Sequence, residues 1–439
     1  MLTLRPARFS ARHALPATCL AAALAAAVAA PLPAAAQATG AVKYDIDDVI
    51  VHPVHALHGM VSSESALASD VGVEVLRKGG NAVDAAVAVG FALAVTMPNS
   101  GNIGGGGFMI LHDGRTGKDT AIDFREMAPA AASRNMYLDD KGNVVPNRSL
   151  FTQAAIGVPG TVAGLTYALE HYGTMKREAL VAPAVRLASQ GFPVGETLAG
   201  LFAQEREHLA AWEGTRKVFF HDGKVPVTGD VLRNPDLAKS LALIGRDGAK
   251  AFYDGPIGAA IAAEAKAHGG LITAADLKNY KVVERAPVRG SYRGYDIVSM
   301  PPPSSGGVHI IQILNILSNF PLHDWGHNSA KSIHVMAEAE KRAYADRSEY
   351  LGDPDFVKVP VKGLTSPDYA KELAGLIDMA HATPASQIKP GRPQPYESNQ
   401  TTQYTVADGK GSVVSVTYTL NTNFGSGIVA SGTGILLNN

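Results

Sequence analysis

Two adjacent threonines, Thr401 and Thr402, follow a proline-rich stretch and begin a segment with strand character. A threonine hydroxyl is a weak nucleophile until a base removes its proton. If the bond between Gln400 and Thr401 were cut, the new α-amino group would lie a few bonds from Thr401 Oγ1. The ordinary pKa of such an amine, about 7.7–8.0, suits a base near neutral pH. The sequence thus offers a nucleophile and its base within one residue.

A β-hairpin is predicted directly after these threonines. Its first strand alternates polar residues with Tyr404 and Val406, and Asp408-Gly409 supplies the turn. Residues 413–420 are rich in β-branched side chains and form the return strand. The hairpin therefore carries the threonine pair at its open end.

A second threonine, Thr419, is expected to lie near the first pair. If Ala407 pairs with Ser412, Thr401 lies opposite Tyr418, within one residue of Thr419. The Thr419 hydroxyl could then orient that of Thr401. On these residues alone, ordinary paired threonines on a strand surface are the more common explanation of the pattern.

Arg125 lies between two acidic residues, Asp123 and Glu126. A planar guanidinium can hold a carboxylate through two parallel hydrogen bonds, which lysine cannot do. The charge pattern alone, however, favours an ordinary surface ion pair with one of the flanking acids.

The elements that must position these residues mix helices and strands. The predicted helices cover residues 67–78, 82–95, 160–172, 182–189, 309–317 and 332–350. Asn81 caps the second of them, which is apolar almost all round but contains Asp84 and is too short to cross a bilayer. It is predicted to be a buried core helix. Residues 381–400 contain four prolines and no aliphatic run, which predicts a mobile surface connector.

Three other patterns contain residue types that occur in phosphate-binding, catalytic or metal sites. The four glycines at 104–107 lack the Lys-Ser or Lys-Thr of a phosphate loop, and are expected to let backbone segments approach closely before a strand at 108–111. Ser304-Ser305-Gly306-Gly307 is expected to open a helix and border the active cleft. Histidines 52, 55 and 58 are interrupted by Pro53, so no metal site is predicted.

Composition excludes several classes of protein. The 439 residues carry 39 Lys and Arg against 40 Asp and Glu, a net charge of −1, which gives no field to attract nucleic acid. Hydrophobic residues make up 46% and charged residues 18%, so the chain can bury a large core and is not mainly disordered.

The N-terminal segment, residues 1–36, has the three parts of an export signal. A basic start with arginines at 5, 8 and 12 precedes an apolar run at 14–30 and small residues at 34–36. Prolines at 16, 31 and 33 disfavour a membrane anchor. The only cysteine, Cys19, lies in this segment, which excludes disulfides and cysteine chemistry from the mature chain. The expected location is periplasmic or secreted.

Six segments of the chain can be compared with a known family: PNSGNIGGGGFM (98–109), AIDFREMAP (121–129), GVPGTVAG (157–164), MPPPSSGG (300–307), AEAEKRAYADRSEYLGDPDF (337–356) and TTQYTVADGKGSVVSVTYTLNTNFGSGIV (401–429). They resemble the γ-glutamyltranspeptidases (glutathione hydrolases), which are N-terminal-nucleophile hydrolases. They occur in the family's order and span essentially the whole mature chain. The resemblance implies an α+β fold, an αββα four-layer sandwich of two stacked sheets between helices, and no cofactor.

Carried over by position, the resemblance assigns roles to five residues. Thr401 matches the nucleophile, and Gln400-Thr401 the site of self-cleavage. Thr419 matches a second threonine that hydrogen-bonds to the first, Arg125 the arginine that holds the α-carboxylate of the γ-glutamyl group, and Asn421 an asparagine near its α-amino end. Residues 37–400 would then be a large subunit and 401–439 the start of a small one, together a heterodimer.

The chain departs from the family pattern in two places. Gln403 stands where a histidine commonly follows the two threonines; because the α-amine is the base, activity should tolerate this change. The sequence also stops at Asn439, before the family's acid for the substrate amine, its serine pair and its oxyanion-hole glycines. The sequence is therefore expected to be truncated, and whether the 439 residues alone are active is left open.

The expected activity is hydrolysis and transfer of γ-glutamyl groups from glutathione and other small γ-glutamyl compounds to water, amino acids or dipeptides. Two alternatives stay open. One is an acylase for β-lactam side chains (glutaryl or cephalosporin) on the same fold. The other is a non-catalytic periplasmic binding protein that keeps the fold without being cleaved.

Overall fold

Capping and periodicity in the sequence account for the position of the helices. The computed structural model describes residues 54–391 and 402–439, and Ala56–Asn439 make up one compact unit. The predicted export signal and the Gln400-Thr401 cleavage site lie outside the described residues, as does the second half of the predicted connector. No helix in the described part has the length and apolar character needed to cross a membrane.

The elements within the described residues are numbered in chain order. The helices are α1 Ala66–Arg77, α2 Ala82–Thr96, α3 Thr161–Tyr172, α4 Arg177–Gln190, α5 Glu196–Gln204, α6 Arg206–Ala210, α7 Glu213–Phe219, α8 Pro235–Asp247, α9 Ala249–Tyr253, α10 Pro256–Ala267, α11 Ala274–Asn279, α12 Gly306–Leu317, α13 Leu322–Trp325, α14 Ala330–Tyr350, α15 Val361–Leu364 and α16 Pro367–Gly375. The strands are β1 Gly59–Ser62, β2 Gly106–Asp113, β3 Lys118–Phe124, β4 Phe192–Pro193, β5 Val231–Leu232, β6 Val283–Arg285, β7 Val288–Tyr292, β8 Tyr295–Ser299, β9 Thr402–Asp408, β10 Val413–Thr419, β11 Val429–Ala430 and β12 Ile435–Leu436.

One six-stranded antiparallel sheet organises the described residues, in the order β1-β9-β10-β2-β3-β6. The other strands form two-stranded sheets, so the described residues do not themselves build the second large sheet of the expected sandwich. The side chains of β9 alternate as predicted, and those of β10 alternate too: one face, with Tyr404, Val414 and Tyr418, is buried, and the other, with Thr405 and Thr417, is half-buried.

Helix α2 covers the buried face of this sheet. Every one of its residues is buried, as the all-round apolar pattern predicted. The Tyr418 hydroxyl donates to the carbonyl of Gly90 in the middle of the helix at 3.0 Å. A Cβ on Gly90 would lie 2.7 Å from the hydroxyl oxygen of Tyr404, so only glycine permits this close packing.

Asp84 shows how a charged residue is tolerated inside this core. It completes a capping box with Asn81, whose side chain accepts from the Asp84 N–H while Asp84 accepts from the Asn81 N–H. The same carboxylate accepts from the backbone N–H groups of Thr174 and Met175 at 2.8 and 2.9 Å, and from the Thr174 hydroxyl at 2.6 Å. It therefore joins the start of α2 to the loop after α3.

All six predicted helices are present, and some of them begin or end at residues other than those predicted. α1, α2 and α3 agree within about one residue, whereas α4 begins five positions earlier than predicted. α12 begins at Gly306, directly after Ser305, so the serine–glycine segment opens a helix as expected. In α4 the sequence pattern was obscured by Pro183, which lies inside the helix.

Candidate active site

An open cavity of about 850 Å³ lies at the edge of the six-stranded sheet where β10 and β3 end and β2 begins. β10 ends at Thr419, opposite Gly106 at the start of β2, and β3 ends at Phe124, opposite Gly107. Because the strands are antiparallel, these ends meet at one edge. The cavity lining includes Arg125, Thr419 and Asn421, so three predicted site residues are brought together. Gln400 and Thr401 lie outside the described residues.

Thr419 is the last residue of β10. Its side chain is half-buried, and its Oγ1 accepts from the backbone N–H of Asn421 at 2.8 Å. The ladder places Tyr418 opposite Thr402. The predicted pairing of Tyr418 with Thr401 is therefore wrong by one residue. Thr419 directly follows Tyr418 on β10, so it lies one position closer to the open end of the hairpin than the Tyr418–Thr402 pair.

The hairpin loop explains this shift. Ala407 pairs with Val413 rather than Ser412, and the Asp408 N–H donates to the Ser412 carbonyl at 3.0 Å. The loop between them ends with Gly411, whose φ of 83° is a left-handed conformation that glycine adopts readily. This is the geometry of a three-residue hairpin loop, whereas the prediction took its turn from Asp408-Gly409 alone.

Asn421 is held in place from two sides. Its φ of 84° is left-handed, which asparagine tolerates better than most residues. Its backbone N–H bonds to Thr419, and its side-chain amide donates to the carbonyl of Asn439 at 3.0 Å. The side chain thus has a fixed place in the cavity wall, and its carbonyl oxygen is the kind of acceptor that an ammonium group requires.

Arg125 follows β3 and forms the opposite wall. Its carbonyl accepts from the Tyr280 hydroxyl at 2.8 Å, and its guanidinium carbon lies 5.9 Å from the centre of the Phe108 ring. The carboxylate of Asp123 pairs with Arg285 at 2.8 Å. The structure therefore uses Asp123 to fix a different arginine, while its Oδ1 holds the Arg125 backbone N–H at 3.1 Å.

Glu126, beside Arg125, also lines the cavity and was not predicted as a site residue. Its Oε1 is buried and has no hydrogen-bond partner among the described residues. Burial raises the pKa of this carboxyl.

The glycines at 104–107 permit the close backbone approach that was predicted. A Cβ on Gly105 would lie 2.1 Å from the Thr419 carbonyl oxygen, and one on Gly107 would lie 2.4 Å from that of Thr417. A Cβ on Gly106 would meet the backbone N of Glu126 at 2.6 Å. These glycines therefore let β10 and the Arg125 segment lie against β2.

Asn438 is a second residue that the sequence did not single out. Its side-chain amide donates to the carbonyls of Gly104 and Gly157 at 2.8 and 2.9 Å, and its Oδ1 accepts from the Gly157 N–H at 2.8 Å. It joins two glycine segments on the cavity wall. No local signal in the sequence could have indicated this role, because both partner residues are far away in the chain.

Ser305 and Arg347 close the cavity from the helical side. Both line it, and Arg347 Nε donates to Ser305 Oγ at 2.9 Å. A smaller cavity of about 390 Å³ adjoins the first and shares both residues with it. Of the segment 304–307, which was expected to border the cleft, Ser304, Ser305 and Gly306 line this cavity. The role of Arg347 was missed, although it lies within one of the six family-like segments.

Comparisons with known proteins agree with this architecture. The family model described as Gamma-glutamyltranspeptidase matches residues 68–439. A glutathione hydrolase proenzyme of Escherichia coli is 55% identical over 407 residues, which cover 92% of this chain and 70% of that protein. An acylase ACY 1 proenzyme of a Pseudomonas species is 41% identical over 395 residues, covering 88% of this chain and 70% of that protein.

A solved structure supports the same grouping. The crystal structure of Helicobacter pylori gamma-glutamyltranspeptidase superposes with a TM-score of 0.75 at 47% identity. The match covers 80% of this chain and 100% of that chain. The likeness confirms the predicted mixed fold of the N-terminal-nucleophile hydrolase type.

Proposed function

Because the chain belongs to the γ-glutamyltranspeptidase family, we propose that it is a glutathione hydrolase. Its reaction is the transfer of γ-glutamyl groups from glutathione and related compounds to water, amino acids or dipeptides. The observation that carries the proposal is the meeting of Arg125, which follows β3, with Thr419 and Asn421, at the end of β10, in one cavity. No cofactor enters the mechanism.

In this mechanism Thr401 is the nucleophile. Its Oγ1 attacks the γ-amide carbon of the substrate while its own α-amine accepts the hydroxyl proton. The amide C–N bond breaks as the leaving amine takes up that proton, and a γ-glutamyl ester on Thr401 remains. Water or an amine then attacks the ester carbonyl, gives its proton to the base and releases the threonine hydroxyl.

The described residues have supporting roles. Thr419 orients the Thr401 hydroxyl. It directly follows Tyr418, the β10 residue that pairs with Thr402. Arg125 binds the α-carboxylate of the γ-glutamyl group through its guanidinium fork. Asn421 accepts a hydrogen bond from the α-ammonium group. Support comes from the common cavity and from the fixed backbone of each residue.

The same hydroxyl performs the maturation step. Thr401 Oγ1 attacks the Gln400 carbonyl, the peptide C–N bond breaks as the acyl group moves from nitrogen to oxygen, and water hydrolyses the resulting ester. The products are a large subunit ending at Gln400 and a small subunit beginning at Thr401, which form a heterodimer. The proenzyme names of the relatives support this step. Export to the periplasm or the exterior is proposed from residues 1–36 alone.

Intact mass spectrometry of the purified full-length protein tests the cleavage and the activity together. We expect two fragments that meet at Gln400/Thr401 and hydrolysis of γ-glutamyl-p-nitroanilide. Thr401→Ala should remain one chain without activity, whereas Thr405→Val, which changes a half-buried threonine of β9, should behave as wild type. A wild-type protein that persists as one inactive chain would contradict the proposal and favour the binding protein.

An acylase is the second candidate, because the Pseudomonas acylase proenzyme is 41% identical to the chain. The two activities differ in the α-amino group of the acyl part, which glutaryl compounds lack. Comparison of γ-glutamyl-p-nitroanilide with glutaryl-p-nitroanilide separates them. The proposed hydrolase prefers the first substrate, and a clear preference for the second would identify an acylase.

A further inference from the structure

The charged side chains that line the main cavity are predominantly cationic. Among the described residues they are Arg125, Arg347 and Glu126. Two guanidinium groups therefore face a single carboxyl group, and burial makes the ionised form of that carboxyl less favourable. A cavity of this composition suits a substrate with more than one negative charge.

Arg347 is held as a fixed part of the wall. It lies on α14, donates from Nε to Ser305 Oγ at 2.9 Å, and has its guanidinium carbon 5.9 Å from the centre of the Tyr344 ring. The preceding residue, Asp346, is fully buried and accepts from the Gln312 amide of α12 and from the Gly391 N–H. Because α14 is anchored beside Arg347, the guanidinium needs little ordering when it binds an anion.

Two of the acidic residues that line the adjoining smaller cavity are paired with an arginine of its wall. Asp123 and Asp355 both pair with Arg285 at 2.8 Å. Hydrogen bonds and the charge of Arg285 hold the pKa of the Asp355 carboxyl below its usual value. Arg285 therefore balances part of the negative charge of these two carboxylates. Arg125 and Arg347 line both cavities, and the excess of basic over acidic side chains is confined to the larger one.

Glutathione carries two carboxylates, one on the γ-glutamyl group and one at the end of the part that leaves. The proposed function assigns the first to Arg125. We propose that Arg347 binds the second, and thereby makes the protein selective for γ-glutamyl compounds whose leaving group ends in a free carboxylate. This inference rests on the proposed function, since it concerns the same site.

A pair of chromogenic substrates tests the assignment. γ-Glutamyl-4-nitroanilide and γ-glutamyl-3-carboxy-4-nitroanilide differ by one carboxylate on the leaving group. In Arg347→Gln we expect kcat/KM for the carboxylated substrate to fall by about tenfold relative to that for the uncarboxylated one, since a charge-assisted hydrogen bond is lost. Arg347→Lys, which keeps the charge without the fork, should lie between.

Two further variants complete the experiment. Arg115→Gln removes the same charge from a side chain that is 83% exposed and lies outside both cavities. The ratio of kcat/KM for the carboxylated substrate to kcat/KM for the uncarboxylated one should therefore stay that of wild type. Ser305→Ala leaves Arg347 in place but removes the acceptor of its Nε, and should lower the ratio by about two- to threefold. It decides the question if Arg347→Gln does not fold.

The outcomes are separable. A ratio unchanged in Arg347→Gln, or in Ser305→Ala when that variant decides, overturns the inference. An equal fall for both substrates also overturns it, because that result places Arg347 on the γ-glutamyl part or in a structural role. A wild-type protein that hydrolyses neither substrate overturns the proposed function, and this inference falls with it.

Discussion

The two ends of the β9–β10 hairpin use their polar groups in opposite ways. At the turn, Asp408 Oδ1 accepts from the N–H groups of Lys410 and Ser412 at 2.9 and 3.0 Å, and its Oδ2 accepts from the Ala82 N–H at the start of α2 at 3.1 Å. At the open end, Thr419 and Asn421 line an open cavity. One end connects the hairpin to the core, and the other presents polar groups to a ligand.

This difference shows that a single ladder can separate stability from reactivity. At the turn end, Asp408 accepts hydrogen bonds from N–H groups at the start of a helix and in a loop that would otherwise lack a partner. These hydrogen bonds contribute to the free energy of unfolding. The open end places polar groups where a substrate could bind. Substitutions at the two ends should therefore separate into those that change turnover and those that change stability.

The largest effect is expected on the cavity side of this comparison, from Arg125→Lys. Lysine keeps the charge but cannot make the two parallel bonds to a carboxylate, so kcat/KM for γ-glutamyl-p-nitroanilide should fall by about a hundredfold, mainly through KM. Steady-state kinetics measures this, with Arg115→Lys as the matched exposed control. A fall of less than about threefold would remove Arg125 from substrate binding.

A smaller loss is expected from Thr419→Val. The change removes the hydroxyl proposed to orient Thr401 and the acceptor of the Asn421 N–H, so kcat should fall by about thirtyfold. Thr419→Ser keeps the hydroxyl and should recover most of the rate. If serine and valine are equally impaired in single-turnover assays, the hydroxyl is not the relevant group.

At the turn end, Asp408→Asn should destabilise the protein with little change in turnover. The new amide would direct a donor at one of the N–H groups that Asp408 now accepts from, at a cost of about 1–2 kcal/mol in the free energy of unfolding. Urea denaturation measures it. Asp113→Asn is the matched control, because the Thr116 hydroxyl bonded to that carboxylate can reverse its role. A large loss of kcat at unchanged stability would contradict the separation.

Gly411→Ala should produce the smallest effect. A Cβ there has space, with its nearest contact at 3.8 Å, so the cost arises from the φ of 83° alone and should be about 1 kcal/mol. Gly200→Ala, in open space within α5, should instead be neutral or slightly stabilising. Equal thermal shifts in the two variants would show that the left-handed conformation is not the cause.

Local signals in the sequence were sufficient for much of the fold. Asn81 marked the start of α2, and the run that is apolar almost all round predicted its burial. Alternation in β9, the Asp408-Gly409 turn and the β-branched residues of β10 identified the hairpin. These features depend on residues close together in the chain, and for that reason they could be predicted.

The register and the second wall of the cavity could not be predicted in the same way. The register depends on whether Gly409 or Gly411 takes the left-handed position, and both are glycines. Arg347 meets Ser305 only because α12 and α14 pack together, which no local pattern specifies. The grouping of Arg125, Thr419 and Asn421 was predicted from family resemblance rather than from the residues themselves.

The strand order has a consequence for what maturation can achieve. β9 and β10 follow position 401, yet they lie between β1 and β2, which precede it. Severing the peptide link would therefore leave each fragment hydrogen-bonded to the other along two ladders. Moderate dilution should not release the pieces. Because unfolding of the nicked molecule separates two chains, its melting midpoint should rise with protein concentration, whereas that of the uncleaved chain should not.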